Sequence, residues 1–327
     1  MDIPAISDNE ETRIASLRAL NILDTPCEER FDRITRFASQ LFDVPIALLS
    51  LVERETLCFK SSIGPNICDT SRAVSLCGHA ILGSGIMIVP DARIDARFED
   101  NPLVLGDPYI RFYAGCPLFA KDGSAIGTLC LIDQRPRILS AIDLDVFHDL
   151  ALLAEREILQ AEPNILDEKS NTCNRKGFLL LAEKGLNLCA RRDIPASLVF
   201  IELESVNDAG VDLGGEESDR ILLQFSESLK IDLEHSALVA RIGVDQFVVL
   251  LIGVSTVGAE LAVTKFKAAI ESLHIRENWQ HRLPFNYGVA EFKASKHSTV
   301  DKLVTDADIA MYDNKKQKRY AARKELI

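Results

Sequence analysis

The chain has 327 residues, of which 47% are hydrophobic and 26% charged, and its formal net charge at pH 7 is −12. This length predicts two domains with a core each, and the acidic balance disfavours general binding to nucleic acid or to an anionic membrane. The apolar runs are short and interrupted by charges, so we expect no membrane span. The start lacks a basic segment followed by an apolar one, so we expect no signal peptide and a cytoplasmic location.

The eight cysteines are scattered along the chain and include no Cys-x-x-Cys pair. Zinc binding is therefore disfavoured. Without a secretion signal, reduced thiols in a cytoplasm are the simplest interpretation. A redox role for one of the cysteines is the less favoured alternative.

Apolar residues at helical spacing predict two helices at the start of the chain, and five strands follow them. The helices are predicted at 10–23 and 28–42, and the strands at 45–52, 56–61, 86–89, 111–118 and 125–132. Helices that flank an antiparallel sheet of this order indicate an α+β sensor module.

Six short segments of this first half resemble the GAF domains of bacterial signalling proteins. They lie at 75–81, 89–93, 95–98, 101–104, 110–118 and 127–133. The resemblance implies a GAF fold, and we assign residues 1–160 to a GAF sensor domain that includes its N-terminal and connecting helices. GAF domains bind small ligands such as cyclic nucleotides or tetrapyrroles, or serve only as dimer contacts, so the ligand stays unknown.

Cys77, His79 and Arg111 are the candidate residues of the GAF pocket. His79 close to Cys77 suggests a haem or metal ligand, but the favoured interpretation is a half-buried histidine that hydrogen-bonds a backbone carbonyl. Cys77 and Cys116 have the apolar surroundings of inert core thiols, which disfavours a covalent bilin. Arg111 could hold an anion together with Arg93 and Arg97, but acids lie among these arginines, so local ion pairing is favoured.

A long helix is predicted between the two domains. Ser140 caps it, and acids at Asp143 and Asp145 suit its first turn. Its apolar residues, between Ile142 and Leu159, cover more than one face. We therefore expect a homodimer formed through the N-terminal and connecting helices. A helix wedged between two domains of one chain is the alternative, and a further protein partner is also compatible with the pattern.

The second half predicts the element order strand, helix, hairpin, helix, strand, which is that of a ferredoxin-like palm. The predicted elements are a helix at 175–192, a strand at 196–203, a helix at 217–233, a hairpin at 238–251, a helix at 257–273, a strand at 285–292 and a helix at 300–315. The whole chain is thus expected to be an α+β protein with two domains joined by a helix.

The turn of the predicted hairpin reads Gly-Val-Asp-Gln-Phe over residues 243–247. It resembles the Gly-Gly-(Asp/Glu)-Glu-Phe signature of the GGDEF domains, the diguanylate cyclase family. Asp167, Asn174 and Arg175 also match the opening motif of these domains, and we assign residues 161–327 to a degenerate GGDEF domain. In the family, two acids hold divalent metals on the triphosphate of GTP, so Mg²⁺ and GTP are the expected ligands if a nucleotide site survives.

The family pattern carries over to five positions. It places the two metal acids on Glu202 and Asp245, a guanine contact on Asp219, and the phosphate contacts on Lys315 and Arg319. The lysine and the arginine are four residues apart, so a helix presents both on one face.

Four substitutions oppose catalysis. Gln246 replaces an acid with an amide, which cannot act as a base or a full-strength metal ligand. Val244 replaces a glycine, and a β-branched residue opposes both a positive φ and the close approach of a phosphate. Gly210 has no side chain to bond guanine, and Asn207 carries no charge where the family has a lysine.

We therefore expect a cytoplasmic protein of cyclic-di-GMP signalling in which a GAF module controls a GGDEF domain. The GGDEF domain is expected to have lost catalysis and to act in regulation or to bind a nucleotide or a protein partner. Asp245 and Gln246 are then vestiges of the catalytic turn. The enzyme alternative is a weak or ligand-gated diguanylate cyclase that converts two GTP to cyclic di-GMP with Mg²⁺ on Glu202 and Asp245. A nucleotide receptor without turnover is a third interpretation.

Overall fold

The computed structural model describes residues 1–23, 25–64, 70–159, 165–204, 215–233, 236–276 and 284–324, without the side chains of 215–218, 236–237, 276 and 318–324. The chain divides into two compact units, Met1–Pro163 and Asn164–Ile327. Both combine helices with a six-stranded sheet, which confirms the predicted α+β class. Within these ranges no helix is long and apolar enough to cross a membrane.

The first unit contains one sheet with the strand order β3-β2-β1-β6-β5-β4, and all neighbouring strands are antiparallel. Its elements in chain order are α1 (Glu10–Ala19), α2 (Glu29–Phe42), β1 (Ile46–Val52), β2 (Thr56–Ile63), β3 (Thr70–Ser71), a 3₁₀ turn (Arg72–Val74), α3 (Leu76–Ala80), β4 (Met87–Val89), α4 (Pro102–Leu105), β5 (Phe112–Phe119), β6 (Ala125–Asp133) and α5 (Ala141–Leu159).

Helix α1 ends earlier than predicted. The prediction extended it to residue 23, whereas the helix ends at Ala19, and Asn21 adopts a left-handed backbone with φ of 53°. Asparagine tolerates this conformation better than most residues, and a left-handed residue just after the last turn ends a helix. Apolar spacing alone does not reveal such a stop.

Helix α5 begins as the sequence predicts. The Asp143 carboxylate accepts a hydrogen bond from the backbone N–H of Ser140 (2.9 Å), and the Ser140 hydroxyl accepts one from the N–H of Asp143 (3.3 Å). This reciprocal arrangement is a capping box with an aspartate in place of the usual glutamate.

The apolar residues of α5 are largely buried inside the first unit. Phe147, Leu150 and Ala154 are fully buried where α5 packs against α2 and β5, and Leu152 is 36% exposed. The width of the apolar stripe is therefore explained within one copy of the chain. The homodimer expected from that stripe stays a prediction.

The second unit contains a sheet with the order β12-β9-β11-β10-β8-β7. Its elements in chain order are β7 (Leu166–Asp167), β8 (Thr172–Asn174), α6 (Arg175–Arg192), β9 (Ala196–Leu203), α7 (Gly215–Asp232), β10 (Ser236–Arg241), β11 (Gln246–Ile252), α8 (Thr256–Arg276), β12 (Phe285–Glu291) and α9 (Val300–Lys324). Strands β9 to β12 pair antiparallel in the order fourth, first, third, second, which is the ferredoxin-like palm that was predicted.

One face of the second sheet is covered by α7 and α8 through a cluster of aromatic rings. The ring of Phe225 lies 5.5 Å from those of Phe247 and Phe266 and 5.7 Å from that of Phe285, centroid to centroid. These separations are typical of favourable edge-to-face and tilted aromatic pairs. The cluster anchors the hairpin, because Phe247 is the last residue of its turn motif.

Helix α9 lies directly against β12 at Gly288. A Cβ atom at this glycine would lie 2.1 Å from the backbone nitrogen of Met311 and 2.3 Å from the carbonyl oxygen of Ala307. No side chain fits between strand and helix here, so glycine is required for the close approach. The contact sets the position of the residues that α9 carries further along.

We expect Gly288→Ala to lower the free energy of unfolding of the second unit by roughly 1–3 kcal/mol, because the added methyl must push α9 away from β12. The one tryptophan of the chain, Trp279, belongs to this unit, so urea unfolding followed by its fluorescence measures the change. Gly85→Ala is the matched control, since nothing lies within 4 Å of a Cβ at Gly85. Equal stability of Gly288→Ala and wild type would contradict this account.

Candidate functional site

The end of strand β9 and the hairpin turn lie side by side in the second unit. Glu202, near the end of β9, is paired with Gln246 of β11 on one side and with Asn286 of β12 on the other. The backbone N–H of Leu203 donates to the carbonyl oxygen of Asp245 at 2.9 Å. The antiparallel register thus brings together Glu202, Asp245 and Gln246, three of the residues on which the family pattern falls.

The hairpin turn is held by Arg241, which the sequence reasoning did not single out. Its Nε atom donates to the carbonyl oxygen of Val244 at 3.1 Å, and its Nη1 atom lies 3.2 Å from the carboxylate of Asp167. Arg241, the last residue of β10, thereby closes the turn of its own hairpin and connects it to Asp167 near the start of the second unit.

Val244 is accommodated without backbone strain. It is 84% exposed and is not among the described residues with positive φ. The valine therefore changes the surface that the turn offers to a phosphate, while the turn itself forms with an ordinary backbone.

Lys315 of α9 forms an ion pair with Glu202. The Nζ atom lies 2.8 Å from a carboxylate oxygen, and the two side chains are 24% and 22% exposed. The expected phosphate contact and the expected metal acid are therefore bound to each other. This pairing was not predicted, because Glu202 and Lys315 are 113 residues apart in sequence.

Asp308 is a further acid of this cluster that sequence reasoning missed. Burial and the negative charge of Glu202 both raise the pKa of the Asp308 carboxyl. The residue stands seven positions before Lys315, a spacing of about two helical turns. Residues seven apart share one face of a helix, so the spacing between Asp308 and Lys315 was the sequence signal that could have identified Asp308.

A second ion pair involves the expected guanine contact. The Nζ atom of Lys169, which lies between β7 and β8, is 2.9 Å and 3.2 Å from the two carboxylate oxygens of Asp219 on α7. Both side chains are about half exposed. Lys169 stands where the opening motif of the GGDEF family has a leucine. The family pattern therefore has no lysine at this position to pair with Asp219.

Three of the predicted positions lie outside the residues that the structure describes. Asn207 and Gly210 belong to the stretch between 205 and 214, and the side chain of Arg319 is among those left out near the end of α9.

One of the two expected metal acids is engaged by a lysine in this structure. Magnesium takes an octahedral set of oxygens, often one or two carboxylates together with substrate phosphates, whereas Glu202 is bound by an ammonium group and Gln246 offers only an amide. Over the described ranges, no group of three or more His, Cys, Asp or Glu residues is placed so that it could hold a metal ion. The arrangement instead pairs Glu202 with Lys315 and Asp219 with Lys169.

In the first unit, His79 makes the hydrogen bond that the favoured interpretation predicted. Its Nε2 atom lies 3.0 Å from the carbonyl oxygen of Asp2, and its ring packs edge-on against Phe98 at 5.0 Å. Burial lowers the pKa of this imidazole, although the bond to the carbonyl opposes the shift. Its environment is that of a structural histidine.

The arginines of the first unit follow the predicted local pairing in part. Arg93 pairs with Asp91 and Arg97 with Asp95, each at 2.7 Å. Arg111 instead donates to the backbone carbonyl of Val104 at 2.7 Å. Local partners therefore account for all three guanidinium groups.

A small cavity of about 30 Å³ lies between α3 and the first sheet. Of the three pocket candidates, Cys77 lines this cavity, whereas His79 and Arg111 are not among its lining residues. Pockets that hold drug-sized ligands have volumes of about 300–1,000 Å³. The cavity has room for a very small molecule and none for a cyclic nucleotide or a tetrapyrrole.

Comparison with known families agrees with the two-domain fold. Residues 26–158 match the GAF domain, and residues 164–321 match the family described as diguanylate cyclase, GGDEF domain. The molecule is thus a two-domain protein of the cyclic-di-GMP signalling class. Its chain belongs to the proteins in which a GAF domain is followed by a GGDEF domain.

The curated relatives include enzymes of opposite activity. The chain is 34% identical over 238 residues to a cyclic di-GMP phosphodiesterase of Pseudomonas aeruginosa. The aligned region covers 71% of this chain and 40% of that protein. It is 25% identical over 215 residues to the probable diguanylate cyclase DgcE of Escherichia coli, covering 64% and 18% respectively. The chain therefore spans less than half the length of either relative.

Among solved structures, the GGDEF domain of FimX from Pseudomonas aeruginosa is 19% identical to this chain. The superposition has a TM-score of 0.41 and covers 47% of this chain and 96% of that domain.

We expect Glu202→Gln to lower the pKa of Asp308, because the substitution removes a neighbouring negative charge and releases Lys315. An NMR titration of the Asp308 carboxyl measures the shift. Asp245→Asn serves as the control, since Asp245 is not among the groups that shift the pKa of Asp308. An unchanged pKa in Glu202→Gln would show that Glu202 and Asp308 are not electrostatically coupled.

Proposed function

We propose that the chain is a cytoplasmic regulatory protein of cyclic-di-GMP signalling whose GGDEF domain binds a nucleotide phosphate and does not condense GTP. The observation that carries the proposal is the ion pair between Glu202 and Lys315 beside Gln246. It bears on both parts of the proposal, the loss of turnover and the retained binding.

The loss of turnover follows from the chemistry of the polar end of the sheet. A condensation needs a group that activates the attacking hydroxyl and cations that neutralise the triphosphate. Gln246, in register with Glu202, offers a neutral amide in place of an acid. Glu202 is already neutralised by Lys315, and Asp219 by Lys169. Each acid expected to contact metal or guanine, apart from Asp245, thus has a lysine as its partner.

The retained phosphate binding is supported by Lys315. An ammonium group at the end of a flexible side chain is a common phosphate ligand. Its partner Glu202 is about three-quarters shielded from solvent, so a phosphate would compete with this carboxylate for the lysine. Binding is therefore expected to be weak, and stronger once Glu202 carries no charge.

The names of the relatives support cyclic-di-GMP signalling without favouring synthesis or hydrolysis, because one is a phosphodiesterase and another a probable cyclase. The small cavity in the GAF unit supports a sensor that does not hold a cyclic nucleotide. Dimerisation through α1, α2 and α5 remains part of the proposal.

Turnover is tested by incubating the purified chain with GTP and Mg²⁺ or Mn²⁺, followed by mass spectrometry of the nucleotides. We expect no cyclic di-GMP above a protein-free sample. If cyclic di-GMP forms and Asp245→Ala abolishes its formation, this proposal is wrong and the chain is a weak or ligand-gated diguanylate cyclase.

Binding is tested by calorimetry with GTP in buffer free of divalent cations. We expect Lys315→Ala to abolish the binding signal and Glu202→Gln to strengthen it, because the variant frees Lys315. Lys316→Ala removes a neighbouring exposed charge and is the matched control, with unchanged affinity expected. If Glu202→Gln bound GTP more weakly than wild type, the competition between carboxylate and phosphate would be refuted.

A further inference from the structure

Two cysteines of the first unit are in contact. The Sγ atom of Cys77 on α3 lies 3.8 Å from the Sγ atom of Cys130 on β6. Cys77 is 5% exposed and Cys130 is fully buried. The sulfurs of a disulfide are about 2.05 Å apart, so a bond between these two requires an approach of less than about 2 Å. The sequence indicated that Cys77 is an inert core thiol and did not identify Cys130 as its neighbour.

The surroundings of this pair are not wholly apolar. The hydroxyls of Ser50 and Thr128, on adjacent strands, lie 2.8 Å apart and are buried beside the thiols. The hydroxyl of Tyr113 is fully buried, has Cys77 and Thr128 as polar neighbours, and makes no hydrogen bond of normal geometry. A buried hydroxyl without a satisfied hydrogen bond is costly, which points to a small polar molecule as its missing partner.

Cys77 and Tyr113 both line the cavity of about 30 Å³ described above. A site of this size holds about one water-sized molecule. Its other walls are largely apolar, including Leu48, Phe59 and Ile132. Among the described lining residues, Cys77 is the one that carries a thiol, and it lies close to a buried hydroxyl able to orient a small polar guest.

We propose that Cys77 and Cys130 form a redox pair, in which Cys77 is oxidised by a small hydroperoxide in this cavity and Cys130 resolves the product as a disulfide. The inference rests on the geometry of the GAF unit and is independent of nucleotide binding by the GGDEF unit.

The chemistry balances as two steps. The thiolate of Cys77 attacks one peroxide oxygen, the O–O bond breaks, hydroxide leaves and Cys77 becomes a sulfenic acid. The sulfur of Cys130 then attacks the sulfur of Cys77, the S–O bond breaks, and the proton of Cys130 leaves with the hydroxide as water. The two sulfurs lose two electrons in total, and the hydroperoxide gains them.

The cavity assigns the two roles, because Cys77 is among its lining residues and Cys130 is not. The contact between the two sulfurs favours a thiolate at Cys77 and lowers the pKa of that thiol against the effect of burial. Cys77 is then the thiol that meets the peroxide, and it is also the one that lines the cavity. The resulting disulfide would tie α3 to β6.

The test uses the full chain, first reduced and then treated with hydrogen peroxide, blocked with N-ethylmaleimide and digested. Mass spectrometry is expected to find a peptide in which Cys77 and Cys130 are joined, with the loss of two hydrogen atoms, and dithiothreitol is expected to reverse it. Cys27 is exposed and provides an internal control that the peroxide reacted.

Three variants sharpen the result. Cys130→Ser should lose the cross-link and accumulate a sulfenic acid on Cys77, detected as a dimedone adduct when the peroxide-treated chain is unfolded in urea with dimedone present, whereas Cys116→Ser should keep the cross-link. Cys116 is the matched control because it is buried in the same sheet, its sulfur contacts Nδ1 of His148 at 3.7 Å, and burial raises its pKa to about 12. Tyr113→Phe should slow formation of the cross-link.

The wild-type digest alone can overturn the inference, whether or not a variant folds. Oxidation of Cys27 without a link between Cys77 and Cys130 would refute it, and so would a link that forms only after the chain is unfolded in urea.

Discussion

The polar end of the second unit depends on the contact between α9 and β12 at Gly288. Because no side chain separates the helix from the strand, the backbone of α9 sits at a fixed distance above the sheet. Lys315 and Asp308, which the helix carries, are thereby held close to Glu202 on the neighbouring strand β9. A larger residue at position 288 would move both charged groups away from their partner.

Two acids at this end of the second unit are paired with lysines. Lys315 neutralises Glu202 and Lys169 neutralises Asp219. The Lys169–Asp219 pair is about half exposed, and a surface ion pair of this type contributes only about 0–1 kcal/mol. The Lys315–Glu202 pair is more shielded from solvent, and in the proposed function a phosphate competes with Glu202 for this lysine.

Local patterns predicted the elements well where one physical rule governed them. Helix α6 and strand β9 have the predicted bounds, because Asn174 caps the helix and a continuous run of six buried residues forms most of the strand. The prediction ended α9 at residue 315, yet the helix continues to Lys324. The added residues are mostly strong helix formers and many of them are charged, so no apolar period marked them. Helix α1 deviated in the other direction, at Asn21.

The sequence by itself determined the two domains' fold class, the positions of most of the longer strands and helices, and the loss of an acid at Gln246, since these follow from residue types and their spacing. Only the tertiary structure decided which charges meet and which thiols touch. Lys315 and Glu202, Lys169 and Asp219, and Cys77 and Cys130 are each at least 50 residues apart. The packing of α9, α7 and α3 on their sheets creates these pairs, and spacing along a single chain does not encode such contacts locally.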